Sequence, residues 1–227
     1  MGSKNSKLGV IADTRSLTDQ AYKIIKEAII SLELEPGEKL KESTVAEELG
    51  ISKTPVREAL TRLQHEGLVN VLPFRGAFVA EIDDRDMEEI FELRKLLEGA
   101  AAKKAALNFS AEDSQEGETL LEEMRAAYKA GDIKSYAQPS RDFHGLLIRK
   151  FGNQRMISVL KTFDDQLERI RITTIRTSEN IPLFIEDYEK IFEALKAGNP
   201  EAAEKALLLH LKRAKEAFFK CKEHRGS

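Results

Sequence analysis

The sequence predicts a mainly α-helical protein in two parts: a small N-terminal unit of three helices closed by a β-hairpin, and a larger antiparallel all-α bundle of about six helices. Two observations predict it. Between Leu17 and Leu63 apolar residues recur at helical spacing and are followed by two short apolar runs around a turn; after Ala80 helical periodicity continues almost to the C-terminus. Residues 1–15 are polar and read as a flexible tail, so the first unit spans 16–80 and the second 81–227, with the boundary at Glu81 to Asp84.

In the first unit, Leu17, Ala21, Ile24, Ile25, Ala28, Ile29 and Leu32 make an amphipathic helix, which the turn signal Glu35-Pro36-Gly37 ends. A short helix follows from about Ser43 to Leu49, with Thr44 and Glu47 at capping-box spacing and Gly50 placed for the left-handed residue after its end. The next helix buries Val56, Ala59, Leu60 and Leu63, spaced i, i+3, i+4 and i+7, and turns Lys53, Arg57 and Thr61 to another face. Ser52 or Thr54 can cap it, and Pro55 costs little in a first turn whose N–H has no partner. Leu68–Leu72 and Ala77–Val79 flank Pro73-Phe74-Arg75-Gly76 and suit a two-stranded hairpin. Helix, helix, polar-faced helix and hairpin together describe a winged helix-turn-helix. Such a helix fits the major groove of DNA, where Arg57 can fork onto guanine O6 and N7 while Lys53 and the hydroxyls meet phosphates or base edges. The same polar face would also suit an ordinary helix with its charges in water.

The second unit reads as consecutive helices. Asp83 and Asp86 start one that carries Met87, Ile90, Phe91, Arg94, Leu97 and Ala101 toward Asn108. Others run from Ser110 to Ala130-Gly131, from Ile133 to Phe151, from Gln154 to about Arg176, from Pro182 to Ala197-Gly198, and from Asn199-Pro200 onward, with Thr177 to Ile181 as a loop. Short links between them imply an antiparallel bundle.

Composition narrows the function classes. At 227 residues and 41% apolar content the chain can bury two real cores. A formal net charge of −3 argues against a bulk nucleic-acid binder, so any DNA-attracting potential must be local, around Lys53, Arg57, Arg62 and Arg75. The single cysteine, Cys221, excludes an internal disulfide and suits a reducing cytoplasm; no apolar run reaches membrane-spanning length. No nucleophile and base at motif spacing and no Gly-rich phosphate loop point to an enzyme.

Pro36-Gly37, Leu40, Ala46, Leu49-Gly50, the run Ser52 to Leu60, Leu63, Glu66-Gly67-Leu68-Val69 and Gly76 resemble the GntR family of bacterial transcription regulators. The resemblance implies DNA contacts at Ser43, Ser52, Lys53, Thr54, Arg57, Arg75 and Gly76. Ser43 and Lys53 stand where the family commonly has arginine, so the planar bidentate fork is missing there, although Lys53 keeps a charge for phosphate. Arg75 reads either as a solvated turn charge or as a minor-groove or backbone contact.

In the second unit, Glu92-Leu93-Arg94, Leu97-Glu98, Phe143-His144, Phe151-Gly152-Asn153, Ile191 to Leu195 before Gly198-Asn199, and Leu209-His210-Leu211 resemble the FCD domain of the FadR branch. Many members hold a divalent metal through one aspartate and three histidines and set an acidic effector against it. Here Ser140 stands at the aspartate place and Tyr188 at one histidine place, leaving His144 and His210 as the retained metal candidates. That set is incomplete for zinc or nickel, and Asp142, two residues before His144, faces away from it. A metal-free pocket formed by Arg94, Ser140, His144, Tyr188 and His210 is the alternative, with Arg94 as a carboxylate fork or as the partner of a neighbouring acid. Leu147, Ile148, Phe151 and Leu207 read as core or as the lining of a greasier cavity. The resemblance therefore implies a cytoplasmic, homodimeric repressor that binds a pseudo-palindromic DNA operator and is modulated by a small organic acid or acyl effector; the alternative is a non-sensing adaptor whose helical domain only dimerises.

Overall fold

The structure, a computed structural model, describes residues 16–176 and 179–223; the expected tail and part of the expected 177–181 loop lie outside the described residues. Among the described residues it is mainly helical, with ten helices and one three-stranded sheet. The chain divides into two compact units, one taking the described residues up to Ile29 together with Glu33–Glu81, the other Ile30–Leu32 together with the described residues from Ile82.

The first unit contains α1 (Leu17–Ile30), β1 (Lys39–Leu40), α2 (Glu42–Leu49), α3 (Lys53–His65), β2 (Val69–Leu72) and β3 (Gly76–Val79). Its sheet has the order β1-β3-β2 and is antiparallel, pairing Lys39 with Phe78 and Val69 with Val79. The sequence reading lacked β1, whose two residues are too few to show any alternation. In α1 the buried stripe is Ala21, Tyr22, Ile25 and Ile29, whereas Leu17 and Ile24 are exposed. Ile24 lies roughly a third of a turn from the centre of that stripe. Tyr22 takes its place because its hydroxyl finds a buried-side partner in Glu66 at 2.8 Å.

Two expected caps are corrected. The capping box of Thr44 and Glu47 does not form: α2 begins at Glu42 after Lys41, so Thr44 already lies within the helix. Ser52 does sit at the N-cap of α3, but its side chain accepts no backbone hydrogen bond. Gly50 adopts the left-handed conformation (φ 66°) that turns α2 into α3. Val56, Ala59, Leu60 and Leu63 seal the back of α3 against Ile25, Ile29, Leu68 and Val79. Each such large side chain contributes about 1.5–3 kcal/mol on full burial, enough to fix which way α3 faces.

The second unit contains α4 (Asp84–Leu107), α5 (Ala111–Ala130), α6 (Ile133–Phe151), α7 (Gln154–Lys161), α8 (Asp164–Ile175), α9 (Ile181–Lys196) and α10 (Pro200–Glu223). Asp83 caps α4 through the Arg85 N–H, Ser110 and Asp113 form a capping box on α5, and Asn153 caps α7. The single helix expected from Gln154 to about Arg176 is two helices. Thr162 turns its hydroxyl back onto the Val159 carbonyl at 2.7 Å, and Asp164 and Asp165 then favour a fresh helix N-terminus. Met87, Phe91, Met124, Phe143, Leu147, Ile191, Leu195, Leu207 and Leu211 fill the core, with Ile148 and Phe151 half-buried against it.

Candidate functional site

The outward face of α3 is polar. Ser43, Ser52, Lys53, Thr54, Arg57, Thr61, Arg75 and Gly76 are all exposed, so the seven residues assigned to DNA and Thr61 are open to solvent in the first unit. Gly76 needs its glycine, since its φ of 98° is a conformation that side chains avoid. The cations differ in their surroundings. Arg62 is engaged, bonding Asp19 at 3.2 Å and stacking over the Tyr22 ring at 3.7 Å. Arg57 is held along one edge by the Glu42 carboxylate, with Nη2 at 2.6 Å, and this hydrogen bond raises its pKa above the ordinary arginine value. The sequence reading missed Glu42, which lies fifteen positions away from Arg57 and carries no local signal.

In the second unit, Arg94, Ser140, His144, Tyr188 and His210 line one small cavity of about 30 Å³, together with Tyr136, Arg171 and Thr174. By volume it holds a water molecule or two. A larger cleft of about 560 Å³ shares Arg94, His144 and Arg171 with it and adds Ile148, Leu160 and Leu167. Regular helices supply every one of these side chains: Tyr136, Ser140 and His144 follow one another at i, i+4, i+8 along α6, hence on one face.

Hydrogen bonds tie the polar residues into a chain. Arg94 Nε donates to Glu98 Oε1 at 2.6 Å, and Glu98 Oε2 lies 2.7 Å from His144 Nδ1. His144 Nε2 lies 3.1 Å from the Tyr188 hydroxyl, which lies 2.8 Å from Ser140 Oγ. The charges decide the direction. Burial raises the Glu98 carboxyl, but Arg94 and His144 overcome it and hold the group ionised, well below the usual carboxylate range. An ionised carboxylate only accepts, so His144 Nδ1 carries the proton and Nε2 accepts from Tyr188, whose oxygen in turn accepts from Ser140. Burial pushes His144 down to about 4 against the partial opposition of Glu98, so the ring is neutral at neutral pH. Burial likewise lowers His210. Its Nδ1 faces Asp187 Oδ2 at 3.8 Å, beyond hydrogen-bonding distance, while the other Asp187 oxygen pairs with Arg213.

Three members of this cluster were not assigned roles from sequence. Glu98 was legible, since it stands one turn after Arg94 and a buried arginine needs an anion. Tyr136 was legible too, one turn before Ser140. Its hydroxyl is buried, has no hydrogen-bond partner among the described residues, and is pushed by burial well above the ordinary phenol pKa. Arg171, on α8, gave no local signal, because the other polar residues of the cavity, apart from Thr174, lie on other helices.

The donor set does not fit a divalent metal. Both His144 nitrogens are engaged, Ser140 and Tyr188 are bonded to each other, and among the described residues no three His, Cys, Asp or Glu side chains converge as ligands. Asp142 bonds Gln138 instead, at 2.9 Å.

Comparison with known families decides the identity of both units. Residues 17–79 match the gntR family of bacterial regulatory proteins, and residues 89–213 match the FCD domain. The chain belongs to the gntR family and carries an FCD domain. A similar protein is the probable D-xylose utilization operon transcriptional repressor of Paenarthrobacter nicotinovorans, 32% identical over 177 residues, covering 77% of this chain and 76% of that protein. The transcriptional repressor RspR of Escherichia coli K12 is 25% identical over 204 residues, 90% of each chain. Among solved structures, Escherichia coli McbR/YncC superposes with a TM-score of 0.70 at 28% identity, covering 90% of this chain and 98% of that one. A putative GntR regulator from Rhodococcus sp. RHA1 shares the fold, with a TM-score of 0.74 at 23% identity over 89% of this chain and 97% of that one. The gntR family consists of transcriptional regulators, and no helix among the described residues is long and apolar enough to cross a membrane.

Proposed function

We propose that this gntR-family protein is a homodimeric repressor whose hold on a pseudo-palindromic DNA operator is altered by a small organic acid or acyl compound in its FCD domain. On the strength of that domain we assign it to the FadR branch. Ser43, Ser52, Lys53, Thr54, Arg57, Arg75 and Gly76 form the proposed DNA face; Arg94, Ser140, His144, Tyr188 and His210, joined by Tyr136 and Arg171, form the proposed effector face. The observation that carries the acid is the cavity lining. Two guanidiniums, two neutral imidazoles and four hydroxyls line it; Arg94 and Arg171 are already paired with Glu98 and Glu168, and among the described residues the Tyr136 hydroxyl has no hydrogen-bond partner. Such a lining can serve a small anionic head through Tyr136 and the guanidinium edges, while a longer body extends past Leu160 and Ile148 in the cleft, whose lining also includes Asp142, Asp164, Asp165 and Glu168. Dimerisation is supported by Leu93, Leu96, Ala100 and Leu107 on α4, spaced 3, 4 and 7 apart on one solvent-facing seam, with Leu96 72% and Leu107 67% exposed. The repressor reading draws on the two relatives described as repressors.

An effector–operator coupling of about 1–3 kcal/mol suffices to release the protein. Thermal-shift screening of a panel of organic acids tests the sensing half: a stabilising acid that also weakens operator binding is expected, and no stabilisation across the panel would leave the domain as a dimerising adaptor. For the DNA half, Arg57→Ala should lose about 1–3 kcal/mol of discrimination at one base step, whereas Lys53→Ala should weaken all sequences evenly and flatten the salt dependence. Identical losses on every duplex would overturn those roles.

A further inference from the structure

The geometry points to Glu42 as a positioning residue for DNA reading: it grips the side edge of Arg57 so that the end edge of the guanidinium faces outward as a ready fork for guanine. This rests on the reading of Arg57 as the base-reading residue and adds to it the group that aims it.

The contacts are specific. Arg57 Nε lies 3.0 Å from Glu42 Oε1 and 3.2 Å from Oε2, and Nη2 lies 2.6 Å from Oε2. A guanidinium has five N–H groups in one plane. Glu42 takes the Nε and inner Nη2 hydrogens, which leaves Nη1 and the outer Nη2 hydrogen side by side. Two parallel N–H groups on that edge are the fork that matches guanine O6 and N7. Arg57 nonetheless stays open, with 67% of its side chain exposed. Of the three cations assigned to DNA, it alone is gripped in this way: among the described residues neither Lys53 nor Arg75 makes an ion pair.

Electrostatics gives the arrangement its purpose. A carboxylate beside a phosphate-facing helix repels DNA, so Glu42 lowers affinity for every sequence. What it contributes is direction. An arginine already held in one plane loses less side-chain freedom on binding, and only a base pair offering acceptors in that plane rewards it. Glu42 is itself fixed in place. It stands in the first turn of α2, where free N–H groups favour an anion, and the Arg57 hydrogen bond, with a contribution from Lys53, holds its carboxyl below the ordinary value.

The test uses the full-length protein and a duplex that the wild type selects from a randomised library, together with single-base-pair variants of that duplex. Affinities are measured at several salt concentrations for the wild type, E42A, E42Q, R57A and the double variant E42A/R57A. R57A should lose roughly 5- to 100-fold of discrimination at one base pair. E42A should lose part of the discrimination at that same base pair, while binding all duplexes more tightly and with a steeper salt dependence. E42Q should keep more of it, because its amide oxygen still accepts from Arg57. Adding E42A to R57A should cost no further discrimination, a non-additivity of roughly 2- to 100-fold as expected for groups in contact. Discrimination unchanged in both Glu42 variants, or a loss that adds in full to that of R57A, would make Glu42 a mere local charge and overturn the inference. If R57A itself discriminates as the wild type does, the parent reading fails, and that arm alone reveals it. Melting curves report folding, and E42Q, isosteric with the wild type, carries the comparison should E42A unfold.

Discussion

Glu98 binds His144 Nδ1 at 2.7 Å with one oxygen and Arg94 Nε at 2.6 Å with the other, so a single buried carboxylate on α4 orients an imidazole and neutralises a guanidinium at once. Removing Glu98 or Arg94 would leave the other as an uncompensated charge in the core, which is why this cluster should govern stability as well as binding.

Its pH dependence follows from burial. His144 is depressed to about 4 in the folded protein, against 6.5 in an unfolded chain, so between those values the unfolded state takes up a proton that the folded state refuses. Stability is complete above pH 6.5 and falls as the pH drops toward 4, by about 3 kcal/mol at most for this group. His210, lowered by the same burial, adds to the loss. Denaturant unfolding at several pH values should show this fall, with a shallower slope in His144→Gln; equal slopes would remove His144 as the cause.

Tyr136 should trade stability for binding. Its buried hydroxyl lacks a hydrogen-bond partner among the described residues, so Tyr136→Phe should leave the protein unchanged or stabilise it by about 1 kcal/mol. The same variant should lose part of the thermal shift produced by an acid that stabilises the wild type. A variant that melts earlier without ligand would mean that the hydroxyl is satisfied in solution.

Leu96→Asp tests the α4 seam. The side chain is 72% exposed, so a charge there should leave each chain folded. It should nonetheless shift the protein to monomer in sedimentation, because a charge at the centre of an apolar contact is left desolvated and unpaired. An unchanged mass would place the dimer contact elsewhere.

Two buried-side glycines should respond oppositely to alanine. A Cβ on Gly117 would lie 2.6 Å from Phe192 Cε2, and that ring already packs edge-on against Phe109. Overpacking should cost about 1–3 kcal/mol and outweigh the gain of about 1 kcal/mol from helix propensity. At Gly99 the nearest atom, Leu208 Cδ2, would be 3.5 Å away, an ordinary contact, so Gly99→Ala should be neutral or stabilising. Urea midpoints for the two variants give the comparison.

Periodicity and turn residues are properties of chain neighbours, and they carried the mainly helical fold and the winged first unit, while the family was legible only as a resemblance of particular residues. The stripe of Val56, Ala59, Leu60 and Leu63 shows within eight residues which side of α3 is buried, and Pro36-Gly37 and Gly50 mark where the chain must turn. What the residues do with their polar groups was decided by pairings between distant positions. Glu42 reaches Arg57 only because Gly50 folds α2 against α3; Lys39–Leu40 becomes a strand only because β3 lies beside it. Arg171 lines one cavity with Tyr136 and Tyr188 from α8, a helix that begins only after the break at Thr162 and Phe163. Apolar burial follows a local pattern, so it can be read along the chain. A hydrogen bond or ion pair needs its second partner, and folding alone determines which one arrives.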